Sequence, residues 1–490
     1  MENYREQWQS LLAGLEQRQH MAEAMGGQEK VAKQHEKGRY TARERIELLF
    51  DSGTFNEIGA LAGSNHPAGE PPLAGDGVVG GIGLVAERSV IALAEDFTVK
   101  GGSIGHVNSA KRTRLLRLAL EQQLPLVVML DGAGHRADSS GERHPHVPSD
   151  LQLAVDLMGK VPVVTIVLGS SAGHGALTGM FADFIIMLEG AALFTAGPPL
   201  VSAALGINAT PEELGSARMH ANDSGVIHNI ATTEESAFAQ ARYFLGMLPQ
   251  RAGESALETR ESTQAKAGDV DGLLDVIPPS GDQPYDIHKV IDLIADDKST
   301  FELQPGYGNS MVVALARFGG VPSMIVANQP SVLAGAITCQ AAEKAAHFIQ
   351  VANNFGLPLV TLLDNPGVMP GAQSEREGVL TAAAKMFAAQ RRYTGKKIVV
   401  TLRKAFGFGS SVMGMNPWDK QAINIALPSV SLGGVPAIGG AEAAKATSEQ
   451  AEQLKEAQSG AWVPADAMAF DMVIHPKDLR SQVIGALHRS

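Results

Sequence analysis

The sequence predicts an α/β protein built from two similar halves, and two observations lead to this prediction. From about residue 75, short runs of β-branched and apolar residues alternate with longer stretches of helical periodicity, a pattern typical of layered α/β folds. In addition, the segment 102–134 matches the segment 335–367 at a constant spacing of 233 residues. A repeat of this kind indicates an internal duplication.

The repeat consists of chemically distinctive residues in the same order in both halves. After a one-residue insertion, Gly173-His174-Gly175 also aligns with Gly407-Phe408-Gly409, at a spacing of 234. Each half therefore ends a predicted strand in a glycine turn that opens a helix. The pairs at a spacing of 233 are Gly102 with Gly335, Lys111 with Lys344, Leu124-Pro125 with Leu357-Pro358, Asp131 with Asp364 and Gly134 with Gly367.

Length and composition fit two large domains with substantial cores. The chain has 490 residues, of which 44% are apolar and 19% charged, which excludes a disordered chain. We assign 1–250 to a first domain and 286–490 to a second. The segment 251–285 mixes Ser, Thr, Gly, Asp and Pro with little periodicity, so we predict a linker there.

Charge and cysteine content narrow the functional classes. Forty basic and 52 acidic residues give a net charge of −12, which argues against a nucleic-acid partner. Cys339 is the only cysteine, which excludes an intramolecular disulfide and favours a reducing cytoplasm. The start, MENYREQWQSLL, lacks the apolar core of a signal peptide, and runs such as 161–168 are too short for a membrane helix. We therefore expect a cytoplasmic protein without membrane insertion.

The first fifty residues predict helices. Trp8, Leu11 and Leu15 recur at helical spacing, and Thr41 with Glu44 forms a capping-box pattern that begins another helix. The same region carries a basic run, which fits either a solvated helix face or a phosphate-binding surface. Its members are Lys30, Lys33, Lys37, Arg39, Arg43 and Arg45.

The repeating part of the first half then alternates strands and helices. The sequence predicts strands at 89–94, 126–130 and 163–168, and helices near 110–121 and 151–158.

The two glycine-opened helices are the strongest candidates for chemistry. The first turn of a helix carries N–H groups without intrahelical acceptors, and the helix dipole favours negative charge there. Gly173-His174 and Phe408-Gly409 therefore predict two matched oxyanion holes, suited to a reaction in which two groups each develop enolate-like charge. The alternative is that these glycines only permit close helix packing.

The first of these turns also fits other motifs. Gly169-Ser-Ser171-Ala-Gly173 matches the G-x-S-x-G nucleophile elbow, with His220 or His228 as the possible base. The repeat argues against this hydrolase, because the equivalent of Ser171 is Ala405. A dinucleotide-binding motif beginning at Gly173 is interrupted before Gly179.

Two further groups of polar residues have open roles. Arg136 follows a glycine turn directly after a strand, where it fits either a phosphate or carboxylate contact or a surface salt bridge. A histidine-rich stretch lacks a fixed metal-ligand spacing, and we predict no metal site. Its residues are His135, Asp138, Glu142, His144 and His146.

The chain resembles the carboxyltransferase β subunits of biotin-dependent acyl-CoA carboxylases of the propionyl-CoA carboxylase type, and the related α subunits of sodium-pumping acyl-CoA decarboxylases. The resemblance covers about residues 30 to 450, with many motifs in collinear order. They include Lys37-Gly-Arg-Tyr-Thr-Ala-Arg-Glu-Arg-Ile46, Asp96-Phe-Thr-Val-Lys-Gly-Gly102, Thr210-Pro-Glu-Glu-Leu-Gly215, Ser224-Gly-Val-Ile-His228, Asp364-Asn-Pro-Gly-Val-Met-Pro-Gly371 and Arg403-Lys-Ala-Phe406.

The resemblance implies two tandem domains of the ClpP/crotonase fold in a ring-shaped hexamer. Acyl-CoA would be held by the first domain, and biotin would approach from the second domain of a neighbouring subunit. A carboxyl group would pass from carboxybiotin to the α-carbon of the acyl-CoA, with biotin itself taking the α-proton.

The resemblance also implies roles for individual positions. Gly173 and His174 would bind the thioester oxygen, and Phe408 and Gly409 the biotin ureido oxygen. The remaining implied residues are Gly101 and Gly102 in a loop beside CoA, Arg136 near CoA or a carboxylate, and Ser411 at a position that shapes acyl choice.

The chain departs from the family where the two holes lie. The family usually has Gly-Gly where this chain has Gly173-His174, and Gly-Gly-Ala where it has Gly407-Phe408-Gly409. No Met-Lys-Met biotinylation site, ATP-grasp region or four-cysteine zinc ribbon is present. We therefore expect biotin carboxylase and the biotin carrier to be separate chains. A decarboxylase subunit and a catalytically altered acyl-CoA-binding paralogue are the alternatives.

Overall fold

In the computed structural model, residues 4–63, 73–136, 149–254, 270–416, 419–436, 441–442 and 445–489 are described. The chain divides into two compact units. One comprises Met1–Gly246 with Gln250–Ala252, and the other comprises Met247–Pro249 with Gly253–Ser490.

The first unit contains a seven-stranded sheet in the order β1-β2-β3-β4-β5-β7-β9. The first three strands pair antiparallel and the remainder pair parallel. A short parallel pair, β6 with β8, lies apart from this sheet. The strands are β1 (Asn56–Glu57), β2 (Val78–Val85), β3 (Arg88–Glu95), β4 (Leu126–Leu130), β5 (Val163–Val167), β6 (Ser170–Ala172), β7 (Phe184–Leu188), β8 (Ala192–Phe194) and β9 (Asn229–Ala231).

Ten α-helices are described in this part of the chain. The predicted capping box of Thr41 and Glu44 is present at the start of α3. One sheet face packs against α4 and α5 in a core that includes Leu115, Leu153 and Ile91. The helices are α1 (Tyr4–Glu23), α2 (Gln28–Glu36), α3 (Ala42–Leu49), α4 (His106–Gln122), α5 (Asp150–Leu157), α6 (Gly173–Gly179), α7 (Pro198–Leu205), α8 (Pro211–Gly215), α9 (Ala217–Met219) and α10 (Glu234–Met247).

The second unit repeats this sheet, in the order β10-β11-β12-β13-β14-β15-β17. Again the first three strands are antiparallel and the others parallel. The end of β14 pairs parallel with β16, as β6 pairs with β8 in the first unit. The strands are β10 (Phe301–Leu303), β11 (Met311–Phe318), β12 (Val321–Asn328), β13 (Leu359–Asn365), β14 (Lys397–Phe406), β15 (Ile423–Ala426), β16 (Ser431–Gly433) and β17 (Met472–Val473).

The helices of the second unit complete the duplicated layers. A buried aliphatic core joins α12 and the last helix to the sheet, with Ile291, Val483 and Ile325 among its members. The described helices are α11 (Leu273–Val276), α12 (Ile287–Ile294), α13 (Cys339–Asn354), α14 (Ala372–Glu377), α15 (Val379–Arg392), α16 (Gly407–Val412), α17 (Ser448–Gln458), α18 (Trp462–Asp466) and α19 (Leu479–His488).

Part of the segment assigned to a linker from sequence is packed structure. Residues 255–269 lie outside the described ranges, but Leu273, Ile277 and Tyr285 are buried in the core of the second unit. The polar composition of this segment masked their role, because only a few apolar side chains anchor it. Residues 270–285 therefore belong to the second unit.

Candidate functional site

The first candidate hole lies where β6 passes into α6. Gly173 has a φ of +58°, a left-handed conformation that glycine adopts readily. This turn redirects the chain so that Gly173 and His174 form the start of α6, with Ala172 as the N-cap. Their N–H groups have no acceptor within the helix, as at any helix start. The predicted arrangement of strand, glycine turn and helix is therefore present.

Neighbouring loops approach this turn closely, and glycines make the approach possible. A Cβ on Gly134 would lie 2.6 Å from the carbonyl oxygen of Ala172, and one on Gly102 would lie 2.6 Å from the carbonyl oxygen of Asp131. The Gly101 carbonyl accepts a hydrogen bond from the backbone N–H of Ala133. The predicted CoA-side loop is thus fixed against the residues that follow β4.

The side chain of His174 has a specific partner. Its Nε2 lies 2.6 Å from Oδ1 of Asp150, the first residue of α5. The imidazole is 28% exposed, whereas the Asp150 carboxylate is 3% exposed. Burial alone would raise the pKa of Asp150, but the His174 hydrogen bond and the Arg112 charge outweigh it and lower that pKa to about 2. The carboxylate therefore stays ionised.

A buried charge network continues from Asp150 beneath the hole. Arg112 donates from Nε to Asp150 and from Nη1 to Glu95, over 3.0 and 2.9 Å. The other oxygen of Glu95 accepts the backbone N–H of Asp131 at 2.8 Å. Burial raises the pKa of Glu95, against the opposing charge of Arg112. Imidazole, two carboxylates and a guanidinium are thereby linked to the end of β4.

A second arginine anchors the Asp131 side chain. Arg45 of α3 donates to Asp131 over 2.8 Å and makes two hydrogen bonds to Glu234. All three side chains are at most 3% exposed. Arg45, which the sequence placed in a basic run, is therefore a buried structural cation rather than part of a solvated face.

The second candidate hole has the same backbone at the start of α16. Gly407 has a φ of +57°, matching Gly173. A Cβ on Gly409 would lie 2.7 Å from the Cα of Gly367, so only glycine fits there. Phe408 is 56% exposed, and Ser411 is half-buried, with its carbonyl accepting from Gln390 and Asn416.

Three titratable positions beside the first hole are occupied by uncharged residues beside the second hole. At the repeat positions of Glu95, Arg112 and His174 stand Asn328, Ala345 and Phe408. Asn328 Oδ1 accepts the backbone N–H of Asp364, as Glu95 does for Asp131. Asp364 is ion-paired there, since it accepts from Arg403 over 2.7 Å and lies 3.6 Å from Lys404 Nζ.

Arg136 is already engaged within the first unit. Its guanidinium donates to the Asp76 carboxylate at 2.8 Å and to the hydroxyl and carbonyl oxygens of Ser103. The side chain is 12% exposed. Of the two interpretations left open by the sequence, the structure shows a salt bridge, although it is mostly buried rather than on the surface.

The serine-hydrolase alternative fails on geometry. Ser171 is fully buried and its Oγ has no hydrogen-bond partner in the described structure. His220 bonds to the Leu193 carbonyl and to the Ser224 hydroxyl, and His228 Nδ1 accepts the backbone N–H of Ile185. No described contact places a base on Ser171.

Two other sequence features can be placed only in part. Most of the histidine-rich stretch, residues 137–148, lies outside the described ranges. Within those ranges, no group of three His, Cys, Asp or Glu side chains is arranged to hold a metal ion. Among the described residues, no helix combines the length and apolar character needed to cross a bilayer.

Comparison with known proteins identifies the family of this chain. The carboxyl transferase domain matches residues 33–489. The methylmalonyl-CoA carboxyltransferase 12S subunit of Propionibacterium freudenreichii subsp. shermanii is 35% identical over 487 residues, covering 96% of this chain and 92% of the relative. The methylmalonyl-CoA decarboxylase subunit alpha of Veillonella parvula is 33% identical over 479 residues, covering 95% and 92%.

Solved structures agree with these sequence relatives. A transcarboxylase 12S structure with methylmalonyl-CoA and methylmalonic acid bound, described as a hexamer assembly, superposes with a TM-score of 0.91 at 33% identity, covering 98% of this chain and 95% of that one. A single-chain, multi-domain long-chain acyl-CoA carboxylase superposes with a TM-score of 0.87 at 29% identity, covering 97% and 48%. The chain belongs to the carboxyl transferase domain family. It is a carboxyltransferase with two crotonase-like domains, which confirms the predicted fold and enzyme class.

Sequence reasoning missed Asp150, Arg112 and Glu95. The signal that could have revealed two of them is the repeat itself, since Arg112 and Glu95 are charged where their counterparts Ala345 and Asn328 are neutral.

Proposed function

We propose that this chain is the carboxyltransferase subunit of a biotin-dependent acyl-CoA carboxylase, acting on the α-carbon of an acyl-CoA. The observation that carries the proposal is the pair of glycine-opened helix starts, α6 and α16, repeated on two copies of one fold. Full-length similarity to carboxyltransferase subunits supports the same reaction class.

In this proposal the first hole serves the acyl-CoA. The N–H groups of Gly173 and His174 donate to the thioester oxygen and stabilise the enolate formed when the α-carbon becomes nucleophilic. Gly101 and Gly102 let the chain backbone approach CoA closely. Arg136 acts as a positioning residue, since its bonds to Ser103 hold the same loop.

The second hole fits biotin by the chemistry of its donors and surroundings. Its donors are the backbone N–H groups of Phe408 and Gly409, which suit the neutral ureido oxygen. Neutral Asn328 and Ala345 replace the buried charges of the first hole, and the exposed ring of Phe408 offers an apolar surface. Biotin, when bound, supplies the carried carboxyl group. Ser411, two residues beyond Gly409, is proposed to shape the adjoining acyl space.

The direction of transfer has a second candidate. The relationship to a methylmalonyl-CoA decarboxylase alpha subunit, 33% identical over 95% of the chain, favours the same chemistry run toward decarboxylation. Because both directions pass through the same enolate, the two holes serve either one.

We further propose a homo-hexamer that works with separate biotin carboxylase and biotin carrier chains in the cytoplasm. Relatives named as β subunits and a neighbour described as a hexamer assembly support this organisation.

The test uses the purified chain with free biotin or biocytin and a panel of malonyl-, methylmalonyl- and longer carboxylated acyl-CoAs. Decarboxylated product is followed by mass spectrometry, with reactions lacking biotin as the control. We expect biotin-dependent loss of the carboxylate from at least one member. If the acyl-CoAs bind but none turns over with biotin, the catalytically altered paralogue replaces this proposal.

A further inference from the structure

The pairing of His174 with Asp150 resembles the arrangement of an oriented general base. A carboxylate that accepts one imidazole N–H fixes the tautomer and leaves the other ring nitrogen to handle a proton. Here Asp150 accepts at Nε2. The other ring nitrogen, Nδ1, has no partner among the described residues, and the ring is partly exposed.

Covalent geometry places Nδ1 beside the proposed acyl-CoA hole. Four bonds of about 1.5 Å or less separate Nδ1 from the backbone nitrogen of the same residue, which keeps the two within about 5 Å. A thioester oxygen bound at that N–H has its α-carbon two bonds away. Nδ1 and the α-carbon of an acyl-CoA bound at that N–H would both lie within about 5 Å of the same backbone nitrogen, which permits contact between them.

The supporting network of Asp150, Arg112 and Glu95 occurs in the first half and has no counterpart at the repeat positions of the second half. Asp150, Arg112 and Glu95 are all buried, so His174 is the exposed end of this hydrogen-bonded network. At a spacing of 233 or 234 residues, the four positions Glu95, Arg112, Asp150 and His174 correspond to neutral residues. These are Asn328, Ala345, Ala383 or Ala384, and Phe408.

All four of these residues are replaced in the second half, which argues against a purely structural role for them in the shared fold. The second half builds the same sheet and the same glycine-opened helix without any of these charges. Glu95 lies directly under the first turn of α6, since a Cβ on Gly175 would be 3.1 Å from its Oε1. The network therefore fixes the position of both the imidazole and the turn that carries the donors.

We propose that His174, oriented by Asp150, is a protein acid–base group for the α-proton of the acyl-CoA. The resemblance assigns this role to biotin, and the proposal differs because this chain has His174 where the family usually has Gly. In the forward step the α-carbon–hydrogen bond breaks, and its electron pair enters the enolate held by the backbone N–H groups. The proton forms a bond to Nδ1. In reverse, the imidazolium returns a proton to the α-carbon. This inference rests on the proposed function only in placing acyl-CoA at the first hole.

Other charged groups around α6 are consistent with this assignment. The helix α6 packs against α5, β4, β6 and β8, and it also contacts Glu95 of β3 and Thr165 of β5. Asp150 is the titratable side chain that α5 directs to the ring. The strands β4, β6 and β8 carry no titratable side chain. Arg112 and Glu95 act on the ring through Asp150 and from beneath the turn.

The test is exchange of the α-hydrogen in D2O without biotin. The full chain is incubated with acetyl-CoA, propionyl-CoA and any product identified in the decarboxylation assay, and α-deuteration is followed by mass spectrometry and proton NMR. We expect the unsubstituted chain to incorporate deuterium. His174→Gln should lower the rate at least about 100-fold, since it removes the proton acceptor, and Asp150→Asn at least about 10-fold. His20→Gln, the same change on exposed α1, should match the unsubstituted chain.

A second variant keeps the result interpretable if His174→Gln folds poorly. His174→Gly restores the residue usual in the resembling family and opens space where added imidazole can act, so imidazole should restore exchange to it. Exchange that is absent from the unsubstituted chain, or equal in His174→Gln, overturns the assignment. If decarboxylation depends on biotin but no exchange occurs, only the acid–base role of the His174–Asp150 pair is overturned. If exchange occurs but decarboxylation does not depend on biotin, the acid–base role of the His174–Asp150 pair is supported and the proposed function is contradicted.

Discussion

The two halves of the chain solve one structural problem with different residues. Each must hold an aspartate at the end of a buried strand beneath a glycine-opened helix. In the first half Asp131 is held by Arg45 from α3, and Gly169 leaves room, because a Cβ there would lie 1.8 Å from Asp131 Oδ1. In the second half the position equivalent to Gly169 is Arg403, which pairs with Asp364 directly.

This difference shows how the duplicated fold has been adapted at each end. In the first half, the cation that pairs with Asp131 comes from α3 near the N-terminus. This helix therefore belongs to the site. In the second half Arg403 also bonds to carbonyl oxygens of residues 278, 280 and 283 and stacks 4.5 Å from the Tyr285 ring centroid. The segment that looked like a linker is thus held by the same guanidinium that anchors the hole.

The largest effect is expected at Arg112, whose counterpart in the second half is Ala345. Arg112→Ala leaves two buried carboxylates without their cation and should lower the free energy of unfolding by about 3–5 kcal/mol. The double variant Glu95→Asn with Arg112→Ala introduces the residues of the second half at both positions. It removes one of the two unpaired buried carboxylates and should therefore recover at least about 1 kcal/mol of the lost stability. Chemical unfolding at fixed protein concentration measures both.

A matched control for that pair lies on the same helix. Arg114 and Glu121 form an exposed ion pair, so Arg114→Ala should change stability by less than about 1 kcal/mol. A double variant no more stable than Arg112→Ala would show that Glu95 is not destabilised by losing its partner.

The halves should also respond to opposite ends of the pH scale. The depressed pKa of Asp150, about 2 against 3.8 unfolded, contributes stability that is complete above 3.8 and lost as pH falls through about 2, roughly 2 kcal/mol. In the second half, the hydrogen bond to Glu302, followed by that to Asp286, raises the pKa of His288 to about 9. That contribution is complete below 6.5 and lost as pH rises through about 9.

Unfolding midpoints measured from pH 2 to 10 check both windows. Asp150→Asn should flatten the acid side of this profile, and His288→Gln should flatten the alkaline side. The interpretation is contradicted if either variant retains the pH dependence of the unsubstituted chain within its own window.

The smallest effect is expected at Ser171. Its counterpart Ala405 performs the same structural role in the second half, and the Ser171 hydroxyl has no hydrogen-bond partner in the described structure. Ser171→Ala should leave biotin-dependent decarboxylation within about twofold and stability within about 0.5 kcal/mol. Loss of an esterase activity in this variant would instead revive the nucleophile elbow.

Most of the architecture could be predicted from the sequence because the internal duplication leaves matching residues at a fixed spacing. Fixed spacings located both glycine-opened helix starts, and the capping box at Thr41 marked the start of α3. The pairing of His174 with Asp150 was not predictable in this way, since the two residues are 24 positions apart on different helices and match no motif. Arg45 was likewise misplaced in a basic run, because its burial depends on packing between α3 and residues distant in sequence.

We propose that backbone N–H groups, rather than side chains, form both holes. Phe408 tests it most directly, because Phe408→Gly keeps the N–H whereas Phe408→Pro removes it at a first-turn position that proline tolerates. We predict biotin-dependent decarboxylation within a few-fold for the glycine variant and a loss of about 100-fold or more for the proline variant, with both unfolding cooperatively. Full activity in Phe408→Pro, or complete loss in a folded Phe408→Gly, would contradict the account.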